Sequence, residues 1–282
     1  MGKVICVANH KGGVGKTTTA AALAYLFSQD GKRVLAIDAD AQTNLSQTLG
    51  VASDGKRDIQ SAIISKIMNV AVPVDTFILP TQYKGVDVIP GSLLIEDESF
   101  LSRVRDSKLN ESVNPWSELV ASIQALNHYD IVMMDSHPSI GLDTLLPLQS
   151  CDYILVPIEA DESSIAGLSQ VYQSILKSRR RANPNIRLLG YFFNKVKGNT
   201  SSAKDYIPSA REMIPKALAN LNGGVEEGIF FSATIRASED ARKAVNYHCA
   251  VTERFSKKKI SFDFTKLYKE ITTALYADEE AR

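Results

Sequence analysis

The sequence predicts a doubly wound α/β fold, a mostly parallel central sheet flanked by helices. Three observations lead there. Short, nearly unbroken apolar runs recur along the chain, segments with helical spacing separate them, and the breaks between are loop-sized rather than linker-sized. Continuous apolarity suits strands buried on both faces, as in parallel sheets covered by helices. Alternation of such strands with helices is the pattern of an α/β architecture.

The elements follow in order. "KVICVAN" (3–9) reads as a first strand, and "NHKGGVGKTTT" (9–19) as a glycine-rich turn that opens a helix over 17–29. "RVLAID" (33–38) is the next strand; after the polar break "SDGKRD" (53–58) comes "VDVIP" (86–90). Helical spacing over 94–106 and 114–127 precedes the strands "DIVMMD" (130–135) and "YILVPI" (153–158). A helix over 163–181, the strand "LLGYFFN" (188–194), the break "KGNTSS" (197–202) and a helix over 203–221 come next. After "NGG" (222–224), "GIFFS" (228–232) is a shorter strand candidate. With 282 residues and no internal repeat, a single domain over 1–282 is expected.

Composition narrows the class. A chain 44% hydrophobic and 23% charged is ordinary for a soluble globular protein. No apolar run approaches the roughly 20 residues of a membrane span, and the N-terminus runs into a strand without a signal peptide. Cys6, Cys151 and Cys249 are far apart and lack metal-ligand spacing, so free core thiols in a reducing cytoplasm are expected. The formal net charge is zero. Any nucleic-acid surface must therefore come from local clusters.

The chemistry is concentrated in "GGVGKTT". Gly12, Gly13 and Gly15 let backbone N–H groups around Val14 converge on an anion without Cβ obstruction. The helix starting near Lys16 adds its partial positive charge. Lys16 then reaches the β- and γ-phosphates, the Thr17 hydroxyl ligates Mg²⁺, and Thr18 is a donor to the α-phosphate. The pattern G-x-x-x-x-G-K-[ST] is met except at its start, where His10 stands. Asp38 and Asp40 close the second strand at the carboxyl edge, where open α/β sheets bind ligands, and residues two apart share a face. Asp135 ends "DIVMMD", a Walker B pattern that suits Mg²⁺. "FNKVK" (193–197) begins like the guanine-reading N-K-x-D, but Lys197 replaces the carboxylate that guanine's N–H groups need. ATP is the expected nucleotide, with Asn194 the adenine contact.

Together "KGGVGKTT", "VLAIDADAQTNLS", "YDIVMMDSHPSIG", "ILVPIEADESSIAGLSQV", "GYFFNKV" and "IRASEDARK" resemble the ParA/MinD family of deviant Walker A P-loop ATPases, nearest the ParA partition ATPases. The likeness runs through almost the whole chain. It implies that Lys11, the additional lysine of the loop, crosses a dimer interface to the partner's phosphates. That role is like an arginine finger in trans, worth ~10³–10⁵ in rate for GTPases. It implies that Asp40 positions or activates the attacking water and that Asp38 helps to order Mg²⁺ and its waters. Slow intrinsic turnover is expected. Two departures stand out: Ala41 where the family commonly has proline, and "SHP" after Asp135 where it often has Cys-Pro-Pro. His137 reads as a substitution in a rigid turn.

The resemblance further implies an ATP-dependent homodimer that binds non-specific DNA and is released through a ParB-like or other cargo-bound partner, in a cytoplasm rich in nucleoid DNA. Lys197 and Arg236 occupy matching places for the DNA surface, with Arg242 and Lys243 beside them; "KKK" (257–259) is a further basic cluster and "KSRRR" (177–181) reads as structural. Phosphate contacts rather than base readout are expected. Two other readings remain: a MinD-like membrane-cycling regulator and a metabolic P-loop phosphotransferase. Against the first, the chain closes on an acidic "ADEEAR" that anionic lipid would repel.

Overall fold

The computed structural model describes residues 2–111, 114–138, 142–161, 163–198, 201–224 and 227–280. Its strands are β1 (Lys3–Val7), β2 (Val34–Ala39), β3 (Leu79–Pro80), β4 (Val86–Ile89), β5 (Ile131–Ser136), β6 (Tyr153–Ile158), β7 (Arg187–Val196) and β8 (Ile229–Arg236). They form one sheet in the order β3-β4-β2-β5-β1-β6-β7-β8, parallel throughout except for the short antiparallel β3–β4 pair at one edge. The helices are α1 (Lys16–Gln29), α2 (Asn44–Thr48), α3 (Ile59–Ile67), α4 (Glu98–Glu111), α5 (Pro115–Ala125) and α6 (Leu142–Gln149). They continue with α7 (Ser163–Arg181), α8 (Ser201–Leu221), α9 (Glu239–Asn246), α10 (Val251–Arg254) and α11 (Lys259–Glu280).

Unbroken apolarity in the strands is used on both faces. Val4 and Cys6 of β1 join a core with Leu35, Val132 and Trp116, while Ile5 and Val7 join a second core with Leu23, Phe27 and Phe264. The period of two along a strand sends neighbours to opposite faces, so each strand needs apolar residues everywhere. Local chemistry sets the helix ends. The Asp58 carboxylate accepts from Ser61 N to cap α3; Asn114 caps α5, with Pro115 at its first turn; and Ser238 caps α9. The three cysteines are buried free thiols.

Several boundaries differ from expectation. The helix expected from residue 94 begins at Glu98, where Asp97 Oδ1 accepts from Ser99 N at 2.9 Å. The strand expected at 228–232 continues to Arg236. Helices α2, α3, α6, α9, α10 and α11 fall outside the expected helical segments, though α11 carries Ile260, Phe264, Leu267 and Ile271 buried at helical spacing. No helix among the described residues is long and apolar enough to cross a membrane.

Candidate nucleotide site

Parallel strands point their carboxyl ends the same way, so the loops after β1, β2, β4, β5, β6 and β7 meet at one edge. The loop after β1 is the phosphate cradle. Gly13 and Gly15 take φ of 75° and 89°, the left-handed region, which brings the chain around buried Val14 and into α1. No side chain caps α1 and no acidic residue lies in its first turn, leaving its N–H groups to an anion. Lys16 is buried inside the cradle. Burial pulls its pKa below the ordinary lysine value, against the opposing influence of the Asp135 and Asp40 carboxylates.

Strand register assembles the acids. Asp38 of β2 stands opposite Asp135 of β5, which in turn stands opposite Val7 of β1. Asp38 accepts hydrogen bonds from Ser46 N (2.8 Å) and Ser46 Oγ (2.6 Å), yet complete burial pushes its pKa up to about 6. Gly91 makes this packing possible: a Cβ there would lie 3.0 Å from Asp38 Cγ and from the Asp40 carbonyl oxygen. Burial, then the neighbouring Asp38 charge, raises the Asp135 pKa well above the usual carboxylate range.

These oxygens fit Mg²⁺. Thr17 Oγ1 donates to Asp135 Oδ2 at 2.6 Å, while Asp135 Oδ1 is buried without a hydrogen-bond partner. An orphaned buried carboxylate oxygen beside a hydroxyl is the hard donor set a Mg²⁺ ion and its waters satisfy. Thr17 and Asp135 are the direct candidates, and Asp38 lies behind them.

Asp40 is nearly buried, and its Oδ1 accepts from Gln42 N at 2.9 Å. The same Oδ1 lies 3.3 Å from His137 Nδ1, which is 2.7 Å from Glu96 Oε1. Sequence reasoning gave no reason to join Glu96, 41 residues away (137 − 96), to the histidine.

Lys11 takes a different course from Lys16. Its ammonium is held outside the cradle by the loop after β6, 2.8 Å from both Glu159 Oε2 and Asp161 Oδ2 and 3.2 Å from Ser163 Oγ. Hydrogen bonding to Asp161, then Glu159, raises its pKa. Neither acid stood out in the sequence.

Asn194, at the end of β7, is spent on the loop itself. Its Nδ2 donates to the Val14 carbonyl (2.8 Å) and its Oδ1 accepts from Lys195 N (2.9 Å). A Cβ at Gly15 would collide with this amide. Lys195, in a left-handed backbone conformation, donates from Nζ to the Gly13 carbonyl. Beside Gly15, Thr18 and Asn194 opens a cavity of about 570 Å³ walled by Ile235, Ala241, Val245 and Phe264. Its size and apolar walls suit a nucleoside.

The basic residues are less free than their spacing suggests. Arg236 forms a two-pronged pair with Asp263 of α11, Nε to Oδ2 at 2.6 Å and NH2 to Oδ1 at 2.7 Å. Arg242 pairs with Glu239 at 2.5 Å. Lys197, Lys243 and the 257–259 run are exposed. Arg179 of "KSRRR" pairs with Glu227 and donates to the Ile186 carbonyl, a structural use. The side chains of Arg181, Lys204 and the acidic residues 278–280 lie outside those described; Lys195 and Lys197, which with Lys204 make a further basic cluster of the sequence, are exposed.

A phosphate cradle at the first strand–helix turn, with Walker B and second-strand carboxylates meeting it on a parallel sheet, defines a P-loop nucleoside triphosphatase. A family model described as an AAA domain matches residues 2–188. The chain is 28% identical over 219 residues to the chromosome partitioning protein ParA of Myxococcus xanthus, covering 77% of this chain and 73% of that protein. It is 32% identical over 191 residues to ParA of Caulobacter vibrioides, 67% of each chain. The solved septum site-determining protein MinD of Pyrococcus horikoshii, complexed with Mg-ADP, superposes with a TM-score of 0.72 at 22% identity over 96% of both chains. The chain belongs to the ParA/MinD family of P-loop ATPases.

Proposed function

We propose that this chain is a ParA-like positioning ATPase that acts as a single domain: ATP binding drives a face-to-face homodimer, the dimer binds DNA without sequence preference, and hydrolysis releases it. The observation that carries the reading is the division between two lysines. Lys16 is buried within the cradle, whereas Lys11 projects from the same loop and is held by Glu159 and Asp161 at its rim. In this reading Lys11 exchanges these acids for the phosphates of a second subunit, which its position at the rim supports.

In this reading Lys16 and the amides of Gly12, Gly13, Val14 and Gly15 hold the phosphates. Thr18 and Asn194 border the nucleoside cavity, where Asn194 meets adenine by exchanging a bond it makes internally. Mg²⁺, when bound at Thr17 and Asp135, neutralises phosphate charge. Asp40 orients the attacking water, and Asp38 supports the metal's waters. DNA meets Lys197, Arg236, Arg242 and Lys243, with phosphate replacing Asp263 and Glu239 on the two arginines. A monomer neutralises few phosphates, and a dimer doubles that number on one backbone. A cargo-bound partner of the ParB type accelerates hydrolysis. The protein then works in the cytoplasm on nucleoid DNA, on a plasmid, chromosome or protein cargo.

The test measures phosphate release, molecular mass in solution and duplex binding, with and without ATP. An ATP-dependent dimer that binds unrelated duplexes equally supports the proposal. ATP-dependent flotation with anionic liposomes in place of DNA binding would overturn it.

A further inference from the structure

We propose that His137, backed by the Glu96 carboxylate, is a positioning residue for hydrolysis that fixes the Asp40 carboxylate. The inference rests on Asp40 being the residue that orients the attacking water.

Three loops at the carboxyl edge of the sheet contribute one side chain each: Asp40 after β2, Glu96 after β4 and His137 after β5. One ligand atom from each lies within 4.8 Å of the others. The imidazole Nδ1 stands between two carboxylates, 2.7 Å from Glu96 Oε1 and 3.3 Å from Asp40 Oδ1. The contact to Asp40 Oδ1 has hydrogen-bond geometry, with Nδ1 carrying the proton, while Glu96 Oε1, buried without a hydrogen-bond partner, backs the same ring nitrogen from 2.7 Å. Through that hydrogen bond the ring acts on Asp40.

The turn after Asp40 explains why such a brace is needed. Ala41 leaves φ free where a proline ring would fix it, and Thr43 two residues on is left-handed at φ 52°. Both contacts on the carboxylate fall on the same oxygen: Gln42 N at 2.9 Å and His137 Nδ1 at 3.3 Å both meet Oδ1. Oδ2 makes no hydrogen bond among the described residues. Pinning one oxygen from two directions sets the rotation of the carboxylate and presents the other to water. His137 touches Asp40, not the reacting atoms, so it acts through orientation.

Misplacing a reacting group by 1 Å costs up to ~10²-fold in rate. His137→Ala is therefore expected to lower intrinsic kcat about 10- to 100-fold while the KM for Mg-ATP changes less than about 3-fold, because Lys16 and the loop amides bind the phosphates. His137→Asn should recover most of the rate. Its amide nitrogen occupies the place of Nδ1 and offers a hydrogen to each carboxylate. Glu96→Ala should lower kcat alone and add nothing on the His137→Ala background.

The experiment measures phosphate release by the full chain with Mg-ATP, beside thermal melts and Asp40→Ala. If Asp40→Ala hydrolyses ATP at the wild-type rate, the role given to Asp40 fails and the brace with it. If Asp40→Ala is inactive but His137→Ala keeps wild-type kcat, or loses it without recovery in His137→Asn, the brace alone is overturned. Should His137→Ala not fold, wild-type kcat in Glu96→Ala overturns it equally.

Discussion

Replacing Lys11 with alanine separates a contribution in trans from one in cis. In the monomer Lys11 makes two ion pairs, 2.8 Å each to Glu159 and Asp161, with its side chain 37% exposed. Pairs at such exposure contribute ~0.2–1 kcal/mol each, so the substitution should cost monomer stability less than about 2 kcal/mol. Lys16 remains buried in the cradle, and monomer ATP affinity should stay within a few-fold of wild type. Hydrolysis should fall by ~10³–10⁵, the scale of a cation supplied across an interface. The same pairs hold Lys11 back. Glu159→Gln with Asp161→Asn should therefore favour dimerisation by up to about 2 kcal/mol, roughly 30-fold in dissociation constant. A fluorescent ATP analogue titrated at low protein concentration, light scattering with ATP and phosphate release provide the three readouts. Equal loss of monomer ATP affinity in Lys11→Ala and Lys16→Ala would refute the assignment in trans.

Other outcomes follow from the same geometry. Asp40→Ala should accumulate an ATP-bound dimer, seen as persistent doubling of mass; failure to dimerise would remove its water-orienting role. Arg236→Glu should abolish ATP-dependent binding to unrelated duplexes and spare dimerisation, with Lys197→Glu weakening it in the same direction; gel shifts across salt decide, and unchanged binding in both moves the surface towards 257–259. Asp38 carries a pKa raised by burial from 3.8 to about 6. Between those values the folded chain binds more protons than the unfolded one, so this group's contribution to stability falls as pH rises from about 4 to 6, by about 3 kcal/mol. Urea titrations of wild type and Asp38→Asn without nucleotide should differ by that slope, and parallel curves would contradict it.

The sheet and the cradle were legible because each rests on local pattern. Strands buried on both faces read as apolar runs, and the glycines with Lys16 and Thr17 sit in one short segment. Helix α11 was not read from the sequence, because charged residues interrupt the stripe of Ile260, Phe264, Leu267 and Ile271 that it buries. The contacts that restrain the site were not legible. Glu96 meets His137 and Asp161 meets Lys11 only because loops from different strands converge, and Asp263 meets Arg236 only because α11 packs beside the end of β8. The hydrogen bond from the Asn194 amide to the Val14 carbonyl is a further contact that no spacing records.

The register that sets Asp38 beside Asp135 also dictates when, during synthesis, the chain can first hold a nucleotide. Thr17 and Asp135, which share a hydrogen bond, are 118 positions apart, and Asn194 is 180 from the Val14 carbonyl it supports. Non-local pairings of this kind form slowly, because the ends of long loops must be brought together before any contact rewards them. A nascent chain with its cradle already outside the ribosome still lacks the Walker B carboxylate and the amide that steadies the loop. Nucleotide retention by a stalled nascent chain should therefore appear only after α11, whose Phe264 walls the nucleoside cavity, emerges. A polypeptide whose sheet is not yet in register has no complete pocket in which ATP could be held.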